Sequence, residues 1–317
     1  KWSSWADNPF NSANGGPASS TADFFDNKKV AALNRRLLRY LVARYSAYRS
    51  LLAWEIMNEM DGIHAPFDRI ALWSEERARD LRSLDCYHHL ITTSLLAKPS
   101  PGPSDVFRSS AYDLAQVHSY ETHFDSLLPV YADVMRAYGK PTILAEFGLD
   151  PDGGFEAKYP SGDHLRQASF ISLASGFSGG AMSWWWDDYL RPNHLWSTQF
   201  PAALIASSVD LRGLHDSLDG RARAYDSSHL PLDVFARGSD DAALFYLRHP
   251  LARWDSGTTS PVVDGATLSF DTTENSRLQV MTFDARTGDS VSEFFIHSDP
   301  QGKAVAPLPS FVGELVV

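Results

Sequence analysis

The pattern of apolar and polar positions along the chain changes at about residue 226. Before that point, short apolar runs alternate with segments in which apolar residues recur every three or four positions, which predicts strands alternating with helices. The predicted strands are 51–59, 89–96, 114–120, 141–148 and 179–186, and the predicted helices are 26–48, 66–84, 125–138, 162–175 and 198–207. Elements that alternate in this way predict a parallel sheet with helices outside it.

After about Asp226 the helical periodicity disappears. Short apolar runs separated by Gly, Asp, Ser and Pro predict strands at 232–236, 242–247, 266–270, 278–283 and 314–317. This texture is typical of a small antiparallel β domain, most simply a β-sandwich. We therefore predict two domains, residues 1–225 and residues 226–317. Residues 1–27 form an irregular, aromatic-rich lead-in that either lines a cleft or packs as an arm on the surface.

Two of the predicted strands end on a glutamate. The run that begins at Leu51 ends on Asn58 and Glu59, just before a turn signal, and the run that begins at Pro141 delivers Glu146. Parallel α/β barrels place catalytic groups at the C-terminal ends of their strands. Taken singly, each glutamate is equally well an ordinary carboxylate paired with Arg or Lys. Taken together and facing one cleft, two such glutamates are the minimal equipment for hydrolysing a glycosidic bond.

Composition narrows the classes of partner. The chain has 317 residues, 44% of them hydrophobic, and a formal net charge of −11, so a polyanion such as nucleic acid is disfavoured while a neutral polymer is not repelled. The 9 Trp, 12 Tyr and 18 Phe supply flat faces that suit sugar rings, although most such residues pack cores. No apolar run is long enough to span a bilayer, so no membrane partner is expected.

Cysteine and histidine usage argues against a bound metal. Cys86 is the only cysteine, which excludes an internal disulfide framework and a cysteine metal cluster. His88, His89 and His123 lack the spacing of a metal-binding motif, and Gly153–Gly154 lacks the strand and helix context of a phosphate loop. We therefore expect neither a metal nor a cofactor. The chain begins at Lys1 rather than Met, so the absence of a leader says little about compartment.

Four motifs, in order, carry a resemblance to a known group of proteins. Trp54–Glu59, Val117–Tyr120, Leu144–Gly148 and Ser183–Trp186 resemble the fourth, sixth, seventh and eighth barrel strands of the clan of retaining β-glycosidases that includes the cellulase and β-mannanase family 5. The resemblance covers about residues 1–210. The terminal β domain also resembles one that is appended to such barrels in bacterial cellulase-like proteins.

The resemblance implies a role for each matching residue. Glu59 matches the acid/base, Glu146 the nucleophile, and Asn58 the amide that grips the sugar 2-hydroxyl. His118 and Tyr120 match sixth-strand residues that contact the sugar and hold the nucleophile, and the tryptophans match the aromatic platform beneath the sugar. Strand alternation puts Trp184 and Trp186 on one side, without specifying whether that side or Trp185 faces the cleft. The implied activity is hydrolysis of β-1,4-linked glucan or mannan with two glutamates in a double displacement.

The match to a full barrel is incomplete. About five strands, the fourth to the eighth, are expected here, so the fold class is a partial (β/α)8 TIM-type barrel followed by an antiparallel β-sandwich. The second-strand arginine of the clan has no counterpart. A second copy of the chain, a separate fragment, or the lead-in and β domain would have to cover the open sheet. The alternative function is therefore a non-catalytic carbohydrate-binding or assembly protein. The compartment is unknown, and the resemblance alone favours an extracellular or periplasmic one.

Overall fold

Residues 4–214, 216–218 and 220–317 are described by the computed structural model of the chain. They divide into two compact units, which are described separately below. The first unit extends to His118 and includes Val134–Thr142, and the second comprises Ser119–Asp133 and Ile143–Val317. None of the described helices has the length and apolar character that crossing a membrane requires.

The regular elements of the described residues follow in chain order. The α-helices are α1 (Thr21–Asp26), α2 (Lys28–Tyr45), α3 (Phe67–Leu84), α4 (Phe124–Arg136), α5 (Asp163–Ser175) and α6 (Phe200–Ser208). The first strands are β1 (Ala53–Glu55), β2 (Leu90–Thr92), β3 (Ala115–Tyr120) and β4 (Thr142–Gly148). The later strands are β5 (Asp216–Ser217), β6 (Ala222–Tyr225), β7 (Asp233–Gly238), β8 (Ala243–Arg248), β9 (Val262–Val263), β10 (Thr267–Asp271), β11 (Arg277–Asp284), β12 (Ser290–His297), β13 (Lys303–Pro307), β14 (Phe311–Val312) and β15 (Glu314–Val316).

In the first unit, the helix predicted over 26–48 is found as α2, and the short helix α1 precedes it in the segment predicted to be irregular. Asn27 separates α1 from α2, because its side-chain oxygen accepts hydrogen bonds from the backbone N–H groups of Lys29 at 3.0 Å and Val30 at 3.4 Å and so caps α2. The apolar stripe predicted for this helix is only partly buried. Val30 and Val42 are buried, whereas Leu33 and Leu37 are exposed.

The strands of the first unit are shorter than predicted. β1 and β2 pair in parallel over three residues, with Trp54 opposite Ile91, and α3 connects them. The predicted strand 51–59 stops at Glu55, because the backbone turns away and Glu59 adopts a left-handed conformation with φ of 45°. The connection between β1 and β2 nevertheless has the β-α-β order that the sequence predicts.

In the second unit, the predicted last strand 179–186 is wrong. Met182 and Trp184 exchange backbone hydrogen bonds with Phe147 of β4, but this parallel pairing is limited to an isolated bridge at Ser183. The backbone then leaves the extended conformation at Trp185 and forms a wide helical turn over Trp186–Leu190. The strand ends here because of a tertiary contact. The Trp185 ring packs over Gly153, where an added Cβ would lie 2.9 Å from the ring.

The C-terminal strands of the second unit form antiparallel sheets. A six-stranded sheet has the order β12-β11-β15-β8-β7-β5, and a three-stranded sheet has the order β13-β10-β6. Both sheets contribute to one apolar core, with Leu247 and Leu315 from the larger sheet and Leu268 and Ala306 from the smaller one, all of them buried. β5 and β6 precede residue 226 but pair with β7 and β10, which follow it.

A buried histidine lies between the aromatic residues of the second unit. The His164 ring is fully buried, with centroid distances of 5.6 Å to Tyr189, 5.9 Å to Trp254 and 6.3 Å to Phe147. Among the described residues, neither of its ring nitrogens has a hydrogen-bond partner. Burial therefore disfavours the imidazolium and lowers the pKa of His164 to about 3.

Replacing His164 with phenylalanine is expected to make the fold less sensitive to acid. The unfolded chain binds a proton at this residue below about pH 6.5, while the folded protein does not until about pH 3, so its contribution to stability is lost as the pH falls through this window. The free energy of unfolding of the parent protein should therefore fall by up to about 1.4 kcal/mol per pH unit between pH 6 and pH 4 from this residue alone. Urea titrations at several pH values measure that slope, and His164→Phe should reduce it. The exposed His229 offers a matched control as His229→Asn, and equal slopes in His164→Phe and the parent protein would contradict the prediction.

Candidate active site

Glu59 lies just beyond β1 and is held at both its backbone and its side chain. The Glu59 N–H group donates to Ser94 Oγ at 2.9 Å, and this hydrogen bond holds the left-handed backbone of Glu59. Its carboxylate Oε1 lies 2.9 Å from His118 Nδ1 on β3, and both side chains are largely buried, with 11% and 3% of their areas exposed. A carboxyl fixed by an imidazole in a mostly desolvated position is suited to accepting and returning a proton.

Ser94 joins Glu55, the last residue of β1, to Asn58 and Glu59 in the segment that follows. Its Oγ lies 2.6 Å from Glu55 Oε1 and 3.0 Å from Asn58 Oδ1, in addition to the Glu59 N–H group. Ser94 itself is completely buried. Sequence reasoning did not single out Ser94, because nothing in the run from His89 to Leu96 distinguishes it from the neighbouring Thr92 and Thr93.

Glu146 lies near the end of β4 in the second unit. Its Oε2 accepts a hydrogen bond of 2.5 Å from the Tyr120 hydroxyl at the end of β3. A hydroxyl donor stabilises the ionised form of a carboxyl group, which is the form that attacks carbon. The structure thus brings Tyr120 and Glu146 together.

His118 and Tyr120 stand two positions apart on β3. Side chains at alternate positions of a strand point to the same face, so this one strand presents an imidazole and a phenol side by side. Each of the two residues hydrogen-bonds one of the two glutamates singled out from the sequence.

The three tryptophans after β4 differ in their surroundings. Trp184 and Trp186 are 45% and 51% exposed. Trp185 instead donates from its indole nitrogen to the backbone oxygen of Asp150 at 3.2 Å and covers Gly153. The exposed rings of Trp184 and Trp186 offer flat apolar surface to a ligand, while Trp185 secures the loop that follows β4.

That loop contains Gly153–Gly154 and is held by the side chain of Asp150. The Asp150 carboxylate accepts backbone hydrogen bonds from Asp152 at 2.8 Å and Phe155 at 2.7 Å, and also from Gly153. A carboxylate that caps several backbone N–H groups of one loop fixes its path. Gly153, with φ of 76°, supplies the left-handed conformation in this turn.

Glu156 is a further residue beside the Tyr120–Glu146 pair that sequence reasoning missed. It is 1% exposed, its carboxylate accepts a hydrogen bond from the Leu149 N–H group, and burial raises its pKa. A Cβ at Gly148 would lie 2.9 Å from both Glu156 Oε1 and Tyr120 Cδ1, so only glycine allows this close approach. Glu156 thus helps to pack the loop against the residue that hydrogen-bonds Glu146.

Comparisons with known proteins match stretches of the chain to mannan endo-1,4-beta-mannosidases at low sequence identity. No known protein-family profile matches the chain. A stretch of 187 residues is 25% identical to mannan endo-1,4-beta-mannosidase A of Podospora anserina, covering 53% of this chain and 48% of that protein. A stretch of 154 residues is 24% identical to mannan endo-1,4-beta-mannosidase A of Aspergillus aculeatus, covering 42% of this chain and 41% of that protein. The chain thus spans less than half the length of these relatives.

A solved structure adds evidence on the fold. The crystal structure of alpha-amylase from H. orenii superposes on 92% of this chain and 64% of that one, with a TM-score of 0.50 and 9% sequence identity. At that identity the likeness concerns the fold alone. It supports an α/β barrel-like fold for this chain.

Proposed function

We propose that the chain is a retaining β-glycoside hydrolase that cleaves β-1,4-linked mannan or a related glucan with Glu146 as nucleophile and Glu59 as acid/base. The observation that carries the proposal is the pair of hydrogen bonds made by two alternate residues of β3, His118 with Glu59 and Tyr120 with Glu146. Retaining hydrolysis needs two carboxyl groups with different tasks, and these two glutamates have different partners.

In the first step, Glu146 attacks the anomeric carbon while Glu59 donates a proton to the leaving oxygen. The Tyr120 hydroxyl donates to Glu146, and a hydroxyl donor favours the charged form of a carboxyl group over the neutral one. In the second step, Glu59 takes a proton from water, and that water displaces Glu146 from the glycosyl carbon. The mechanism requires the two carboxyl groups to stand about 5 Å apart when substrate is bound.

Binding of the sugar is assigned to the remaining residues of the site. The exposed Trp184 and Trp186 rings would stack on pyranose faces, and the exposed Asn58 amide would hold the 2-hydroxyl. The β-1,4-mannan preference rests on the printed names of the relatives, which are mannan endo-1,4-beta-mannosidases. Of the architecture expected from the sequence, the proposal keeps barrel strands four to seven, formed by β1 to β4, followed by a β-sandwich.

The test is hydrolysis of β-1,4-mannan, cello-oligosaccharides and aryl β-glycosides, followed by NMR of the first product formed. A retaining enzyme releases the β-anomer before mutarotation produces the α-anomer, so early β-signals are expected. The control is Glu293→Gln, which alters an exposed glutamate of β12 and should leave rates unchanged. Initial release of the α-anomer would reject the retaining mechanism. Binding of these sugars without turnover would instead identify a non-catalytic carbohydrate-binding protein.

A further inference from the structure

Trp254 follows β8 of the larger sheet in the chain but packs among residues of α4, α5 and the loop after β4. Its ring is 8% exposed and lies with centroid distances of 6.0 Å from Phe124 and 4.6 Å from Tyr159. Its backbone N–H group donates to Gln167 Oε1 at 3.2 Å. The turn after β8 thus inserts a large ring among elements that precede the antiparallel sheets in the chain.

Phe124 connects Trp254 to both members of the Tyr120–Glu146 pair. Phe124 begins α4 and lies four positions after Tyr120. Its ring packs edge-to-face on Phe147 with the centroids 5.2 Å apart, and Phe147 directly follows Glu146 on β4. Successive residues of a strand point to opposite faces, so Phe147 anchors β4 from the side away from the Glu146 carboxylate. Both phenylalanine rings are fully buried.

A second contact leads from Trp254 to the loop that follows β4. The Tyr159 ring meets the Trp254 ring edge-to-face, and the Tyr159 N–H group donates to the backbone oxygen of Glu156 at 2.9 Å. Glu156 in turn lies against Gly148, where the Tyr120 ring also approaches. Trp254 therefore supports the surroundings of the Tyr120 ring as well as β4.

The packing makes these contacts sensitive to the loss of the indole. The rings of Trp254 and Phe124 are stacked with an angle of 23° between their planes. Protein interiors are close-packed, so removing a buried ring either leaves a void or moves its neighbours. The neighbours here are joined through the backbone to the donor and the acceptor of the 2.5 Å hydrogen bond between Tyr120 and Glu146. Movement of Phe124 or Phe147 would change that distance.

We infer that Trp254 is a positioning residue that holds Glu146 against Tyr120 through the Phe124 and Phe147 rings. The inference rests on the function proposed above, in which Glu146 is the nucleophile. Trp254 acts from the face of β4 opposite to the carboxylate, so it would contact no substrate. The C-terminal antiparallel sheets would then contribute to the chemical step through this residue and not only to the stability of the fold.

The main test compares Trp254→Leu with Phe270→Leu. Phe270 is also 8% exposed and packs in the core of the antiparallel sheets, 4.9 Å from the Phe245 ring, so each variant removes one buried ring of the second unit. Trp254→Leu is expected to lower kcat on an aryl β-glycoside roughly 10- to 100-fold, because misplacing a reacting group by about 1 Å has an effect of that size. KM should change much less, and Phe270→Leu should leave kcat nearly unchanged.

The conservative variant Trp254→Phe keeps a flat ring beside Phe124 and should retain most of kcat. All rates are measured under conditions in which urea titrations show each variant to be folded, so that lost stability does not enter the comparison. Equal losses of kcat in Trp254→Leu and Phe270→Leu, or no loss in Trp254→Leu, would overturn the inference.

A second measurement does not depend on turnover. The carboxyl signal of Glu146 is observed by NMR in protein with isotope-labelled glutamate and is assigned by its loss in Glu146→Gln. The signal should shift in Trp254→Leu, shift less and in the same direction in Trp254→Phe, and stay in place in Phe270→Leu. An unmoved signal in Trp254→Leu, or in Trp254→Phe if the leucine variant does not fold, would overturn the inference. A parent protein without turnover whose signal shifts as expected would reject the proposed function and leave the positioning role in place.

Discussion

Replacing Glu146 with alanine is expected to lower kcat/KM by about 10⁴-fold or more, because no other group of the site would form the glycosyl bond. Glu59→Ala is expected to cost roughly 10² to 10⁴-fold on substrates that need a proton on the leaving group. The loss in Glu59→Ala should be much smaller on an aryl glycoside whose phenol leaves without protonation. This dependence of the loss on the leaving group distinguishes the acid/base from the nucleophile.

Added azide distinguishes the two roles by stereochemistry. In Glu146→Ala the anion can enter the space of the missing carboxylate and attack the β-glycoside from that side, which yields the α-glycosyl azide. In Glu59→Ala the anion would instead attack the glycosyl-enzyme formed on Glu146, which yields the β-glycosyl azide. NMR of the products identifies the anomer in each case, with Glu293→Ala as a surface control. The same azide anomer from both variants would contradict the assignment, and full activity in Glu146→Ala would point to another site.

The elements that the sequence predicts well are those whose signals are local. The helix predicted over 66–84 is found at Phe67–Leu84, because six of its side chains are buried at helical spacing and Pro66 precedes its first turn. The helix predicted over 162–175 is found at Asp163–Ser175, with every residue from His164 to Ala174 buried and Gly176 in a left-handed conformation at its end. Periodicity marks the first of these helices, whereas the second is marked by its end signal.

The strands that were missed have patterns that do not resemble strands. β13 buries Ala304 and Ala306, and alanine is a poor strand former whose burial depends on the facing sheet. β12 is an edge strand of the larger sheet with Ser, Glu and His among its residues, so its apolar alternation is weak. These strands are defined by their partners rather than by their own sequence.

The same distinction applies to the candidate site. Glu59 and Glu146 could be proposed from strand-end position alone. The left-handed backbone of Glu59, the Ser94 hydroxyl that secures it and the buried Glu156 could not, because each depends on residues that are distant in sequence. Glu59, Glu146, His118 and Tyr120 are visible in the sequence, whereas the contacts of Ser94 and Glu156 are visible only in three dimensions.

A buried ion cluster in the second unit also depends on residues that are distant in sequence. Glu314 on β15 has a fully buried side chain, and its two oxygens accept from Arg166 Nη2 at 2.8 Å and Nε at 3.2 Å. Gln167 and Tyr246 donate to the same carboxylate at 2.8 Å and 3.0 Å. Burial alone would lower the pKa of Arg166, but the Glu314 charge outweighs it and the net pKa is raised. The cluster thus joins α5 to the larger sheet through charges that depend on one carboxylate.

Glu314→Ala is therefore expected to destabilise the fold by about 3 to 5 kcal/mol, because it leaves Arg166 buried without its main counter-charge. Urea unfolding followed by tryptophan fluorescence measures the loss. The control Glu293→Ala removes an exposed carboxylate and should change the free energy of unfolding by less than about 0.5 kcal/mol. A change below about 1 kcal/mol in Glu314→Ala would show that water or a rearranged side chain replaces the carboxylate.

The double variant Arg166→Met with Glu314→Leu should recover much of the loss, since apolar residues of similar size can replace a buried ion pair with little cost. The recovery would identify the loss of the Glu314 counter-charge, with Asp163 left as the remaining ion-pair partner of Arg166, rather than the lost packing, as the cause of the instability.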